Sequence, residues 1–316
     1  MDNTAGKLLE ILIPTLNRDE PLIRNINNIM SIIEKNDLYS YVGIIISDNG
    51  SDIESFERLK DYLNKHCSID YQLYRQETNI GIEKNSLFLI EKASAKYVMT
   101  LGDDDYFTEK FLIDSLNYLK SGDYSGIIPN YIPVDIDGKQ IAPLRDEIAA
   151  DKIYDQDSLW ICDRGHQLSC LIFLREGLIE SYKKNVRPNV YPFLYFLAYS
   201  LTQGKMVHIT REPFSCTLIQ KKNWNYEKDN LMGELMCVID CLPYNSDADK
   251  NKQIRIMVQR NIGRYCNKNT YIHPIRMIKR INTYDVSDKT KRLLKEQYIK
   301  QIITWPYRKM KQTSKK

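Results

Sequence analysis

The chain has 316 residues, 43% hydrophobic and 27% charged, which excludes disordered, collagenous and coiled-coil proteins and predicts one large folded domain or a domain with an appendage. The formal net charge is only +4, but thirteen Lys and Arg stand against three acids between Pro274 and Lys316, so a basic tail follows an acidic body. That asymmetry points to an anionic surface partner or to a solvated helical face.

The seven cysteines (Cys67, Cys162, Cys170, Cys216, Cys237, Cys241 and Cys266) are odd in number and lack a CxxC pair, which predicts reduced thiols in a cytoplasmic protein. Cys237 and Cys241 fall four apart, yet no nearby His or second Cys pair completes a tetrahedral zinc site, so core packing is expected of them. The N-terminus has no basic region leading into a long apolar stretch, and no run approaches the roughly 18 to 20 apolar residues of a membrane span. Neither a secretion segment nor a spanning helix is expected.

From Leu8 to about Asn130, short β-branched runs alternate with helical patterns, the signature of βαβ units. The predicted strands are Leu9–Pro14, Tyr41–Ser47, Ile69–Arg75, Lys96–Leu101 and Tyr124–Pro129, separated by helices over Pro21–Lys35, Ile53–His66, Ile82–Ala93 and Glu109–Lys120. Right-handed crossovers bring the strand ends to one edge of a mostly parallel sheet. An Asp-Gly turn within Val134–Ile141 predicts a small hairpin. Next come a helix near Asp157–Cys162, an apolar strand Leu168–Leu174, a helix Tyr191–Leu201 and a strand Lys205–Thr210. From about Asn230 the spacing is helical, with breaks expected at Pro243, Pro274 and Pro306.

In an open α/β sheet, ligands bind at the carboxyl ends of the strands, and the segments there are polar: IPTLNR (Ile13–Arg18), SDNGSD (Ser47–Asp52), ETNIG (Glu77–Gly81) and GDDDYF (Gly102–Phe107). Three neighbouring carboxylates, Asp103, Asp104 and Asp105, repel one another unless a cation or solvent neutralises them, and Mg²⁺ suits a small carboxylate set completed by phosphate oxygens. The competing reading is an exposed acidic loop capping the helix that starts near Thr108. Asp48 suits a base or ribose where Gly50 lets the backbone approach, or else an Asx turn ahead of a helix. Neither a P-loop nor a G-x-G-x-x-G cradle is present, so a diphosphate would have to be handled by a metal.

The succession ILIPTLNR, IIISDNGS, NIGIEKN and YVMTLGDDDYF, four motifs in order over residues 9–107, resembles the family 2 glycosyltransferases, bacterial GT-A enzymes that transfer sugars from nucleotide donors in polysaccharide assembly. The segments up to about Thr210 resemble the family's acceptor half more loosely, and the remainder matches none of its motifs. The resemblance implies an α/β GT-A fold, a Rossmann-like mostly parallel sheet with helices on both faces. It implies a glycosyltransferase domain over 1–225, with a nucleotide-sugar half (1–130) and an acceptor half (131–225), and the helical spacing and charge of the remainder predict a helical, basic region over 226–316. It also implies an inverting hexosyltransferase acting in cell-surface polysaccharide synthesis, with a nucleotide-sugar donor, UDP-linked, a divalent Mg²⁺ or Mn²⁺, and a glycan or lipid-linked oligosaccharide acceptor.

Carried onto this sequence, the resemblance puts Pro14, Thr15, Asn17 and Arg18 in the nucleotide pocket, Asp48 and Asn49 at the base, and Asn79, Gly81 and Asn85 on the pocket floor. In the acidic motif it makes Asp104 the metal ligand, with Asp105 beside it, and puts Asp103 on the ribose side. Strand alternation alone would instead pair Asp103 with Asp105.

Inverting members use a carboxylate to take the acceptor's proton while the metal stabilises the departing diphosphate. The segment expected to supply that carboxylate, RPNVYPFLYF (Arg187–Phe196), contains no Asp or Glu. The candidates are therefore Asp163, His166 and Glu176, which flank the apolar strand. His166 titrates near working pH, although a lone His also serves as a simple hydrogen-bonding residue.

An enzyme acting on a lipid-linked acceptor works at the inner face of the plasma membrane. There Arg276, Lys279, Arg280, Arg292, Lys295, Arg308, Lys309, Lys311, Lys315 and Lys316 would attract anionic headgroups at about 1 kcal/mol each, with Trp305 and Tyr307 at the interface. The competing classes are a sugar nucleotidyltransferase, whose Gly-rich loop LNRDEP lacks, and a non-catalytic nucleotide-sugar or glycan-binding protein that lost its base. No nucleic acid is expected, because no recognised motif accompanies the charge.

Overall fold

The computed structural model describes residues 6–218, 230–265 and 274–313. In chain order, β1 (Leu9–Thr15), α1 (Asp19–Lys35), β2 (Val42–Asp48), α2 (Ile53–His66), β3 (Tyr71–Arg75), α3 (Ile82–Lys92), β4 (Tyr97–Thr100), α4 (Glu109–Ser121) and β5 (Tyr124–Val134) form the first half. The strands β1, β2 and β4 are covered on both faces, which is why each reads as a continuous apolar run and not as an alternating one. Leu22, Ile26, Ile29 and Ile33 recur at helical spacing along α1 and are all buried. Asp52 and Thr108 cap α2 and α4 by accepting the amides of Ser55 and Phe111, and α4 ends on Gly122 in the left-handed conformation.

The second half comprises β6 (Lys152–Tyr154), a 3-10 helical segment Gln156–His166, β7 (Leu171–Leu174), α5 (Leu178–Asn185), α6 (Pro192–Gln203), β8 (Lys205–Thr217), α7 (Leu231–Asp240), α8 (Asp247–Tyr265), α9 (Pro274–Thr283) and α10 (Asp288–Thr313). All eight strands join one sheet in the order β3-β2-β1-β4-β7-β5-β8-β6. β1 pairs in parallel with β2 and β4, β2 with β3, and β5 with β8, whereas β7 and β6 run antiparallel to their neighbours. The chain therefore approaches the site edge of the sheet just before β7 and leaves by the opposite edge after it.

Hydrophobic layers cover both faces. One joins Ile11, Ile13, Ile44 and Ile46 of the sheet to α1, α2 and α4. The other joins Leu12, Ile45, Val98 and Ile128 to α3, α5 and α6, and it continues through Leu235 and Val238 of α7, Ile254 of α8, Ile281 of α9 and Leu293 of α10. The basic C-terminal helices are thus packed onto the α/β body through a common core.

Several expectations change. β5 and β8 run past their predicted ends, because their parallel pairing continues beyond a bulge to Val134 and Thr217. β6, with only three residues, was not predicted, and the expected helix near Asp157 is a longer 3-10 segment. The Asp-Gly hairpin reduces to one bridge, Val134 to Gln140, closed by Gly138 at φ 78°. α10 continues through Pro306 and does not break there. Cys266, Lys315, Lys316 and the expected boundary at 225/226 lie outside the described residues, as do the side chains of Arg276, Trp305, Tyr307, Arg308, Lys309 and Lys311. Among the described residues the six remaining cysteines are free, and no helix is long and apolar enough to cross a membrane.

Candidate active site

The loops after β1, β2 and β3 are bound to one another. Asn17, at φ 53°, donates its amide to Ser51 Oγ (2.7 Å) and accepts the Asp52 amide on its side-chain oxygen (2.8 Å). Asn49 donates to Asn79 Oδ1 (3.0 Å) and accepts from the Ile80 amide (3.0 Å). Gly50 makes this contact feasible: at φ +82°, a Cβ there would lie 2.6 Å from the Thr78 carbonyl carbon.

These loops line a cleft of about 730 Å³ whose walls include Pro14, Thr15, Arg18, Asn49, Asn79, Gly81, Asn85, Asp103, Asp104 and Asp105. Two residues expected at the nucleotide are not on its walls. Asn17 braces the first two loops. Asp48 is 1% exposed, with its carboxylate held by the amide and hydroxyl of Ser51, three residues on, and by Arg75 Nε at 3.5 Å. Asn85 lines the cleft but is anchored, accepting from Ser47 Oγ (2.6 Å) and donating to the Ser47 carbonyl (3.2 Å).

The acidic motif leaves β4 as a turn, so strand alternation does not govern it. Asp103 and Asp104 both face Arg18: Nε lies 3.3 Å from Asp103 Oδ1, and Nη2 pairs with Asp104. Thr15 Oγ1 donates to Asp103 Oδ2 at 2.9 Å. Burial pushes the Asp103 carboxyl up to about 6, with Asp104 adding to the rise while Arg18 and Thr15 oppose it.

Asp105 turns the other way and is fully engaged. Its Oδ1 accepts the Thr217 amide at 2.7 Å, and its Oδ2 accepts from Ser169 Oγ and from Gln167 Nε2 (3.2 Å). Burial pushes Asp105 up to about 7, the Ser169 and Thr217 hydrogen bonds holding it lower than burial alone would. Asp105 was expected beside Asp104 at a metal, and in the structure its carboxylate ties the acidic turn to β8 and to the approach of β7. Gly102 leaves the room for that contact, since a Cβ there would lie 3.0 Å from Asp105 Oδ2 and 3.1 Å from Ser169 Oγ.

A second cavity of about 480 Å³ adjoins the cleft, and Ile82 and Gln167 line both. Its walls carry Asp163, His166, Arg145 and Arg164 together with Tyr131, Tyr191 and Phe214. His166 Nε2 lies 3.2 Å from Asp163 Oδ1, and Arg145 Nη2 lies 3.7 Å from Asp163 Oδ2. Arg164 pairs with Asp146, and His208 Nε2 lies 3.3 Å from Asp146 Oδ2. Burial raises the Asp146 carboxyl, but His208 and Arg164 outweigh it and hold the group below its usual range. Two of the three base candidates thus stand together in one cavity.

Glu176 does not. It follows β7, whose antiparallel direction carries it to the opposite edge of the sheet, where its backbone carbonyl accepts from Tyr199 Oη. Gln167, Ser169, Arg145 and Thr217 were missed in the sequence. The available signal for Gln167 and Ser169 was their place just before an apolar strand, which marks the site edge only once that strand is known to run backwards.

Among the described residues no group of three or more His, Cys, Asp or Glu is arranged to hold a metal. Asp104 offers one partly exposed carboxylate at the cleft, where it and Asp103 face one guanidinium. That donor set fits a hard divalent ion completed by ligand phosphate oxygens, and does not fit an all-protein cage.

The family profile of Glycosyl transferase family 2 matches residues 10–182, more than half of the chain. A poly(ribitol-phosphate) β-N-acetylglucosaminyltransferase of Staphylococcus aureus, TarP, is 31% identical over 126 residues, 40% of this chain and 37% of that protein. The chain thus spans well under two thirds of that relative. Among solved structures, S. aureus TarS 1–349 in complex with UDP-GlcNAc aligns with a TM-score of 0.64 and 13% identity, covering 95% of this chain and 91% of that one. The mannosyltransferase PcManGT of Pyrobaculum calidifontis, in complex with GDP-Man and Mn²⁺, aligns at 0.53 with 10% identity over 96% and 88%. At such identities the likeness shows the fold, which is of the GT-A type. With the motifs after β1, β2 and β4 converging on one cleft and the profile spanning them all, the chain belongs to Glycosyl transferase family 2.

Proposed function

We propose that the chain is an inverting, metal-dependent glycosyltransferase that moves a sugar from a UDP-linked donor to a hydroxyl of a glycan or lipid-linked oligosaccharide in cell-surface polysaccharide synthesis. The observation that carries this reading is the pair of adjoining cavities, one with the acidic turn and the other with Asp163 and His166, sharing a wall at Ile82 and Gln167. A single displacement needs leaving group and attacking hydroxyl on opposite sides of the anomeric carbon, and two cavities that meet at one wall support such an arrangement. The UDP-GlcNAc complex of TarS and the sugar-transfer activity in TarP's name support a UDP-sugar donor, and the Mn²⁺ complex of PcManGT supports a divalent ion.

In this reading Asp104 holds the ion, Mg²⁺ or Mn²⁺, which when bound neutralises charge on the departing diphosphate. Arg18 holds the acidic turn in place and offers a guanidinium to the phosphates once Asp104 is engaged. Asp103, buried against Thr15, faces the ribose, and Asn49 and Asn79 shape the nucleotide floor. On the other side, Asp163 orients the imidazole of His166, and the pair takes the proton of the attacking hydroxyl. Tyr131 and Tyr191 give the acceptor aromatic faces.

Work at the cytoplasmic face of a membrane is supported by the basic tail and by α10, where Ile299 and Ile303, one turn apart, are 44% and 72% exposed beyond Arg292 and Lys295. Incubation with a panel of UDP-sugars and Mn²⁺, measuring UDP release, tests the reading. Donor turnover that requires both metal and Asp104 supports it, and absence of any UDP binding by the wild type rejects it.

A further inference from the structure

We infer that Gln167 reads the identity of the transferred sugar. This rests on the glycosyltransferase reading above and deepens it, since it assigns a specificity residue to the same site. If the diphosphate lies by Asp104 and the attacking hydroxyl by Asp163 and His166, the sugar between them must lie against the wall that both cavities share. Among the described residues, two line both cavities, Ile82 and Gln167. Ile82 offers a hydrocarbon surface. Gln167 is the one with hydrogen-bonding groups for sugar hydroxyls.

Its position is fixed from both sides. The Gln167 amide closes the 3-10 segment by donating to the Arg164 carbonyl at 3.2 Å. That segment lies tight on the start of α6, because a Cβ at Gly165 would lie 2.6 Å from the Leu194 nitrogen. Two residues on, Ser169 Oγ accepts the Gly102 amide at 2.8 Å and donates to Asp105, so the chain is also tied to the acidic turn. Residues 166 to 169 therefore run along the wall from the proton-accepting side to the donor side. One N–H of the Gln167 side chain is used on Asp105 (3.2 Å), which sets the amide plane and leaves a second N–H and the oxygen with capacity for sugar hydroxyls. A fixed amide offering both a donor and an acceptor distinguishes epimers, because a misplaced hydroxyl leaves one of its groups unpaired.

The test is a donor panel of UDP-glucose, UDP-galactose, UDP-N-acetylglucosamine and UDP-N-acetylgalactosamine, measured as kcat/KM for UDP release with Mn²⁺, in wild type, Gln167→Met and Gln167→Ala. UDP affinity by calorimetry and the melting temperature are measured in parallel. The expected result is that the ratio between the best and second-best donors falls by about tenfold or more in both variants while UDP affinity stays within about twofold. Unchanged ratios, whether activity is kept or lost uniformly across the panel, overturn the assignment. If Gln167→Met melts early, Gln167→Ala carries the test, since Ser169 and Thr217 still hold Asp105. A wild type that binds no UDP defeats the glycosyltransferase reading itself, whereas a selective wild type with equally selective variants defeats only the role of Gln167.

Discussion

His166 Nε2 lies 3.2 Å from Asp163 Oδ1 in a cavity that adjoins the cleft of the acidic turn. A carboxylate in this place orients an imidazole, as a general base requires. Asp163→Asn and His166→Ala are each expected to lower turnover by about 10²- to 10⁴-fold while UDP affinity is retained. Glu176→Gln, on the opposite sheet edge, is expected to leave turnover unchanged. Steady-state kinetics with calorimetry in parallel check all three, and wild-type rates in both cavity variants would remove the base from this pair.

Asp105 tests the difference between a ligand and a brace. Asp105→Asn leaves Ser169 Oγ and the Thr217 amide competing for a weaker acceptor in a buried site, at a cost of about 1 to 3 kcal/mol. Thermal melting of the metal-free protein is expected to register that loss, and Asp104→Asn, at the partly exposed end of the turn, is expected to melt close to wild type. Equal melting of wild type and Asp105→Asn would contradict the bracing role.

Gly50→Ala is predicted to destabilise the chain and to weaken nucleotide binding together. The new Cβ would meet the Thr78 backbone at 2.6 Å in a left-handed conformation, strain of about 1 to 3 kcal/mol that can be relieved only by parting the loops after β2 and β3. Melting curves and UDP titrations report the two effects, and a variant that melts like wild type would show that the loops separate freely.

The C-terminal helices are docked through Asp240, whose carboxylate meets Lys250 Nζ at 2.8 Å, the Ser287 amide at 2.8 Å and the Thr290 hydroxyl. Burial pushes this carboxyl up, but Lys250 and Thr290 with the Ser287 amide outweigh it and hold the group below its ordinary value. A depressed folded-state value gives stability that is full above the unfolded value, about 4, and is lost as pH falls through the folded one. The melting-temperature gap between wild type and Asp240→Asn is therefore expected to be widest near neutral pH and to close below about pH 4. A gap that widens with acid would reverse the sign and the argument.

Cosedimentation with anionic liposomes is expected for the full chain, weakened by Ile303→Glu and by high salt. Binding that is indifferent to both would separate the basic tail from any membrane role.

Much of this architecture was legible in the sequence because β1, β2 and β4 are buried on both faces and their helices carry regular apolar stripes. The polar segments after them could be read as one site for the same reason. What could not be read was direction: nothing local in Leu171–Leu174 distinguishes a parallel from an antiparallel strand, and that choice separates Asp163 and His166 from Glu176. Nor could the sequence show that Asp103 and Asp104 would turn to one arginine while Asp105 turned to Ser169, since a turn obeys no period. Asp48 illustrates the same limit, its carboxylate being held by Ser51 of its own loop and by Arg75 of β3.

The measurement that tests the central claim most directly is calorimetric titration of UDP into the wild-type protein and into Asp104→Asn, each with and without Mn²⁺. The account predicts binding by the wild type that is strengthened by Mn²⁺, and loss of that metal-dependent gain in Asp104→Asn with the fold intact. Metal-dependent UDP binding of equal strength in both proteins would contradict it.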